Sequence, residues 1–99
     1  MFNANSGPPE PVPVVPPKQF SFLRLRAVLK RRGLSRSSHY ADIKVGLYTR
    51  GVPIGQRAVA YPDYEVDLLN AARIAGNSDD EVRGLVLRLH AARCVAMPA

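Results

Sequence analysis

Cationic and hydroxyl side chains crowd together between Lys30 and Lys44, in the stretch KRRGLSRSSHYADIK. The planar guanidinium of arginine bridges the two acceptors on the major-groove edge of guanine, whereas serine, tyrosine and lysine bond to phosphates or bases. These residue types suit a surface that holds a polyanion. If a helix follows Ser35 and enters the major groove of DNA, its first turn brings Arg36 near base edges. We expect this arginine to provide sequence specificity.

Positive charge is concentrated in the middle of the chain. The 14 lysine and arginine residues against 8 aspartate and glutamate residues give a net charge of +6. Between Lys18 and Arg57 ten cations face a single anion, Asp42, whereas the residues from Ala58 onward carry a balance of −2. Such a basic segment attracts polyanions, and double-stranded DNA is the commonest partner of a small basic domain. A merely solubilising face is the alternative explanation.

Other kinds of chemistry find little support. Cys94, His39 and His90 are too few for a closed zinc site, and there is no phosphate-binding loop or nucleophile elbow. Two groups of acids open predicted helices, where dipole and capping roles explain them: Asp63, Glu65, Asp67, Asp79, Asp80 and Glu81. We therefore predict no enzyme, cofactor or metal. Without a leader or an apolar run of roughly 18 residues, we expect a cytoplasmic, nucleoid-associated bacterial protein and no membrane contact.

The sequence predicts that two helices joined by a tight turn position these cations. Apolar spacing predicts a first helix over residues 26–32, ended by Gly33. Ser35 is a suitable N-cap for a second helix that runs to about Val45. Lys30 and Arg31 would contact the DNA backbone from the first helix. The outer face of the second helix carries the other expected DNA contacts, namely Arg36, Ser37, Ser38, Tyr40 and Lys44.

A β-hairpin is predicted over residues 52–61, because apolar residues alternate on both sides of a turn at residues 55–57. Pro53 lacks a donor for the ladder, which we expect to be tolerable because both strands of a two-stranded ribbon are edges. Gln56 and Arg57 at the tip would reach an adjacent minor groove. Helix, turn, helix, hairpin and helix is the order of a winged helix-turn-helix. The predicted fold is therefore mainly α with a small β-hairpin wing.

Beyond the hairpin, a third helix is predicted to about Ile74, and residues 78–81 form a capping box before a fourth helix. The fourth helix carries the cleanest apolar stripe of the chain, formed by Val82, Leu85, Val86 and Leu89. Such a stripe is most often core, but it would also suit a partner helix or self-association. The second function class left open is thus a protein-interaction module without specific DNA readout.

Several segments together resemble the AlpA-like and excisionase-like family over about residues 22–75. They are residues 25–40 (LRAVLKRRGLSRSSHY), 46–48 (GLY), 52–62 (VPIGQRAVAYP) and 65–66 (EV). The resemblance implies a winged helix related to the MerR-type DNA-binding domain. It also implies a transcriptional regulator of a mobile element, or a recombination directionality factor that bends attachment-site DNA so that an integrase excises the element. The family's recognition-helix positions fall on Arg36, Ser37, Ser38 and Tyr40.

The sequence departs from the family pattern at a few positions. Ala41 stands where Arg is frequent, and His39 replaces a usually aliphatic inward residue, for which we expect a hydrogen-bonded, half-buried side chain. Gly51 replaces a usual proline. The predicted organisation is a Pro-rich extended or disordered arm over residues 1–19, a winged helix-turn-helix over 20–75 and an amphipathic helix over 76–99. The arm or the last helix would support self-association on adjacent DNA sites.

Overall fold

The structure, a computed structural model, describes residues 14–96. Most of the Pro-rich segment therefore lies outside the described residues, although Val14 packs against the core. Four helices and one antiparallel sheet make up this part of the chain. In chain order they are β1 (Phe22–Arg24), α1 (Leu25–Arg32), α2 (Arg36–Lys44), β2 (Val52–Gly55), β3 (Ala58–Pro62), α3 (Asp63–Ile74) and α4 (Asp79–Ala96).

The helix-turn-helix forms for the local reasons that the sequence indicates. Gly33 ends α1 with φ of 69°, a left-handed conformation that costs glycine little because it has no β-carbon. Ser35 caps α2, since its Oγ accepts a hydrogen bond from the backbone N–H of Ser38 at 3.2 Å. The two predicted helices are thus confirmed, with α1 beginning one residue earlier than expected.

The sheet has one strand more than the sequence predicts. Its order is β1-β3-β2, with Phe22 opposite Pro62 and Val52 opposite Ala60. The expectation of a two-stranded ribbon is therefore wrong, because the three residues of β1 are too few to show an alternating pattern and pair with a strand distant in sequence. Pro53 remains tolerable because β2 is still an edge strand.

The core lies between the sheet, α1 and the two C-terminal helices. Val82, Val86 and Leu89 of α4 are buried in it, and Leu85 packs against it. Ser78 and Glu81 form the predicted capping box at the start of α4, with reciprocal hydrogen bonds at 3.2 and 2.7 Å. Three of the four residues of the apolar stripe of α4 are therefore core, and Leu85 alone keeps part of its surface exposed.

This arrangement is a mainly helical winged helix-turn-helix, in which the β2–β3 hairpin forms the wing. Among residues 14–96, no helix is long and apolar enough to cross a membrane.

Candidate nucleic-acid interface

The outward face of α2 presents the predicted contact residues together. The side chains of Arg36, Ser37, Ser38, Tyr40 and Lys44 are all exposed. Arg36 and Lys44 form no ion pair with any described residue. At the start of α2, Oγ of Ser35 lies 3.4 Å from Oγ of Ser37 and donates to Oγ of Ser38 at 3.1 Å. Two cations and a row of hydroxyl groups therefore share one helix face, and Ser38 also takes part in capping.

His39 lies on the opposite face of α2 and is fully buried, so the expectation of a half-buried side chain is wrong. Nη1 of Arg32 lies 2.9 Å from Nδ1 of His39, and because arginine only donates, this nitrogen is the acceptor. Nε2 of His39 then carries the proton and donates to Oη of Tyr61 at 3.0 Å. Burial, followed by the nearby charge of Arg32, lowers the pKa of His39 to about 4 and keeps the ring neutral at pH 7.

Arg32 joins α1 to α2. Its Nη2 donates to Oδ2 of Asp42 at 2.6 Å, and its guanidinium carbon lies 3.8 Å from the centre of the Tyr48 ring. The side chain is only 6% exposed. Arg32 therefore does not add to the surface charge that the sequence count assigns to this segment. Its pairing with Asp42 occupies the one carboxylate of α2, so that the outer face of the helix stays cationic.

Lys30 and Arg31, which are predicted to contact the DNA backbone, are exposed in the last turn of α1. Lys30 has no ion-pair partner among residues 14–96, whereas Nη1 of Arg31 lies 3.1 Å from Oδ1 of Asp67. Both members of that pair are substantially exposed, so the pair is weak. Arg31 therefore remains available to an external anion at little cost.

Gln56 and Arg57 lie at the tip of the wing, in the two-residue turn between β2 and β3, and both are exposed. Arg57 has φ of 59°, and it is the one non-glycine residue with a positive φ in the described chain. Glycine or asparagine is usual at such a position, because a β-carbon makes the left-handed conformation unfavourable. Arg57 therefore adopts a backbone conformation that costs an arginine more free energy than it would cost a glycine.

Sequence reasoning missed a second group of polar residues, which lies behind the wing. Glu65 is fully buried and pairs with Arg93 at 2.6 Å, so the helix-dipole role predicted for it was incomplete. Nε2 of His90 accepts the backbone N–H of Arg50 at 3.2 Å. Burial lowers the pKa of His90. One local signal for Glu65 existed, because it shares helical spacing with the buried Leu69 and Ala72.

Comparison with known proteins finds the family that the sequence resembles. The family model described as "Prophage CP4-57 regulatory protein (AlpA)" matches residues 21–70, from β1 into α3. A protein of Enterobacteria phage P4, described as "Uncharacterized protein ORF88", is 39% identical over an alignment 74 residues long; the aligned region covers 69% of this chain and 84% of that protein. No solved structure matches the chain significantly.

Proposed function

The chain belongs to the AlpA family of prophage regulatory proteins, and from this premise we propose that it binds double-stranded DNA in a sequence-specific manner. In this proposal α2 enters the major groove and the wing contacts an adjacent minor groove. The protein then regulates genes of a prophage or integrative element, or acts as the directionality factor for its excision. Both roles need the same groove contacts.

One observation carries the proposal: the outward face of α2 bears Arg36 and Lys44, and no carboxylate among residues 14–96 pairs with either of them. Asp42 is the one acid of α2, and Arg32 of α1 neutralises it at 2.6 Å. A face with exposed guanidinium, ammonium and hydroxyl groups offers hydrogen-bond donors and positive charge to phosphates and to guanine. Arg36 is assigned to base readout, and Lys44 to the phosphate backbone together with Lys30 and Arg31.

DNA bending and self-association complete the proposed mechanism. The strong negative potential of a narrow minor groove attracts the cation of Arg57, which lies beside Gln56 at the tip of the wing. Simultaneous contacts in two grooves favour a bent duplex. A single domain of this size makes few contacts, so copies on adjacent sites would bind more tightly than one. In excision, the bent DNA would be the substrate of an integrase, which is the proposed protein partner.

Fluorescence anisotropy with three duplexes tests the proposal: attachment-site DNA, integrase-promoter DNA and a random sequence. We expect the protein to prefer one of the first two and to lose affinity steeply with salt. Arg36→Ala should abolish discrimination, whereas Lys44→Ala should weaken binding to all three duplexes and reduce the salt slope by about one. Arg73→Ala is the control, since this exposed cation lies on α3 and pairs with Asp79. Equal binding of all duplexes by the wild-type protein would reject sequence-specific readout.

A further inference from the structure

A single arginine of α4 joins the two ends of the wing. Nη2 of Arg93 donates to the backbone carbonyl of Arg50 at 2.8 Å and to Oε1 of Glu65 at 2.6 Å, while Nε donates to Oε2 of Glu65 at 2.9 Å. Arg50 lies two residues before β2 begins, and Glu65 three residues after β3 ends. The guanidinium therefore bridges the entrance and the exit of the hairpin.

His90 of α4 binds the backbone N–H of Arg50, the same residue whose carbonyl Arg93 binds. Its Nε2 accepts the backbone N–H of Arg50 at 3.2 Å. The N–H and the C=O of Arg50 are thus both fixed by side chains of α4. The imidazole must be neutral to accept this bond, and burial together with the charges of Arg50 and Arg93 lowers its pKa in that direction, against the opposing charge of Glu65.

Close packing at the next residue limits movement of the hairpin. A β-carbon on Gly51 would overlap Cγ1 of Val59 on β3 and would lie 3.4 Å from the ring of Tyr61. The entrance strand therefore passes directly against β3 at the root of the wing. A hairpin that is fixed at both ends and tightly packed at its root cannot swing freely about the domain.

We propose that Arg93 and His90 are positioning residues that set the angle of the wing, so that Gln56 and Arg57 reach DNA while α2 occupies its groove. The consequence for DNA rests on the function proposed above, whereas the effect on the wing itself does not. Both residues lie beyond the segment matched by the family model, which ends at residue 70. The C-terminal helix of this chain thus supplies the anchor for a wing that the family segment contains.

A charge-neutral double variant, Arg93→Met with Glu65→Met, removes the bridge without leaving a buried charge unpaired. The matched control is Arg73→Met with Asp79→Asn, which removes an ion pair of the same two helices away from the wing. In the test variant, we expect amide hydrogen exchange of Arg50 and of the β2–β3 hairpin to accelerate roughly tenfold or more, while the amides of α1 are unchanged. The control should leave hairpin exchange as in the wild type.

The second readout is the contribution of the wing tip to DNA affinity. Arg57→Ala should weaken duplex binding roughly threefold to tenfold in the wild-type background, and by less than about twofold in Arg93→Met/Glu65→Met. Arg36→Ala should have the same effect in both backgrounds, which a general loss of stability would not produce. An undiminished effect of Arg57→Ala, or unchanged hairpin exchange, would overturn the inference.

Two further outcomes are separable. If the wild-type protein binds no duplex, the proposed function fails and the exchange measurement alone decides whether α4 anchors the wing. If Arg93→Met/Glu65→Met does not fold, His90→Ala replaces it in both readouts. His90→Gln, which keeps a side-chain acceptor, should then restore slow exchange at Arg50, and a failure to restore it would contradict the positioning role of His90.

Discussion

Oη of Tyr61 on β3 accepts a hydrogen bond from Nε2 of His39 on α2 across 3.0 Å, beneath the face that we assign to DNA. This bond ties the central strand of the sheet to the recognition helix. On its other side, Nδ1 of His39 receives a hydrogen bond from Arg32 of α1. One buried imidazole therefore connects side chains of α1, α2 and β3.

Removing the hydroxyl of Tyr61 should be costly, because Tyr61→Phe leaves a buried N–H of His39 without an acceptor. We expect a loss of about 1–3 kcal/mol in the free energy of unfolding, measured by urea denaturation. Tyr48→Phe is the matched control, since the buried hydroxyl of Tyr48 has no hydrogen-bond partner among the described residues. That change should be nearly neutral or stabilising. Similar losses of unfolding free energy in both variants would show that the hydrogen bond from His39 to Tyr61 does not stabilise the fold.

Stability should fall as the pH is lowered from about 6.5 to about 4. In this window the unfolded chain binds a proton at His39 and the folded chain does not, because the folded pKa is about 4 against an ordinary 6.5. The loss attributable to His39 is roughly 3 kcal/mol at the acidic end. His90 acts in the same direction. Thermal denaturation against pH should show a flatter profile for His39→Leu than for the wild type, and an identical slope would refute the assignment.

The tip of the wing should show a trade between stability and binding. Arg57→Gly relieves the left-handed backbone and should stabilise the fold by about 1 kcal/mol, while it removes a cation from the proposed interface. Arg57→Ala removes the same charge and keeps the β-carbon, so it should weaken DNA binding without the gain in stability. Denaturation and anisotropy of the two variants separate these effects. A Gly variant that is no more stable than the Ala variant would argue against strain at Arg57.

The sequence predicts those parts of the fold that depend on neighbouring residues. Gly33 and Ser35 mark the turn of the helix-turn-helix because their conformational preference and capping act within a few residues. The exposed face of α2 follows from helical spacing in the same way. These signals suffice for the helices, for the hairpin and for the order of a winged helix-turn-helix.

What the sequence misses depends on distant pairings. Strand β1 forms because Phe22 pairs with Pro62 on β3, which is distant in sequence. Its three residues are too few to show the alternation of apolar and polar residues that predicts a strand. The partners Glu65 and Arg93 are separated by 28 positions, and only the fold brings them together. The positive φ of Arg57 also escapes, because residue type argues against it. The orientation of the wing was therefore beyond local reasoning.

The central claim is that the outer face of α2 contacts DNA, and NMR chemical-shift mapping with a duplex tests it most directly. We expect the amides of α2 from Arg36 to Lys44 and those of Gln56 and Arg57 to shift on binding, and the exposed face of α4 around Leu87 to stay unchanged. Shifts confined to α4, with α2 unaffected, would contradict the account.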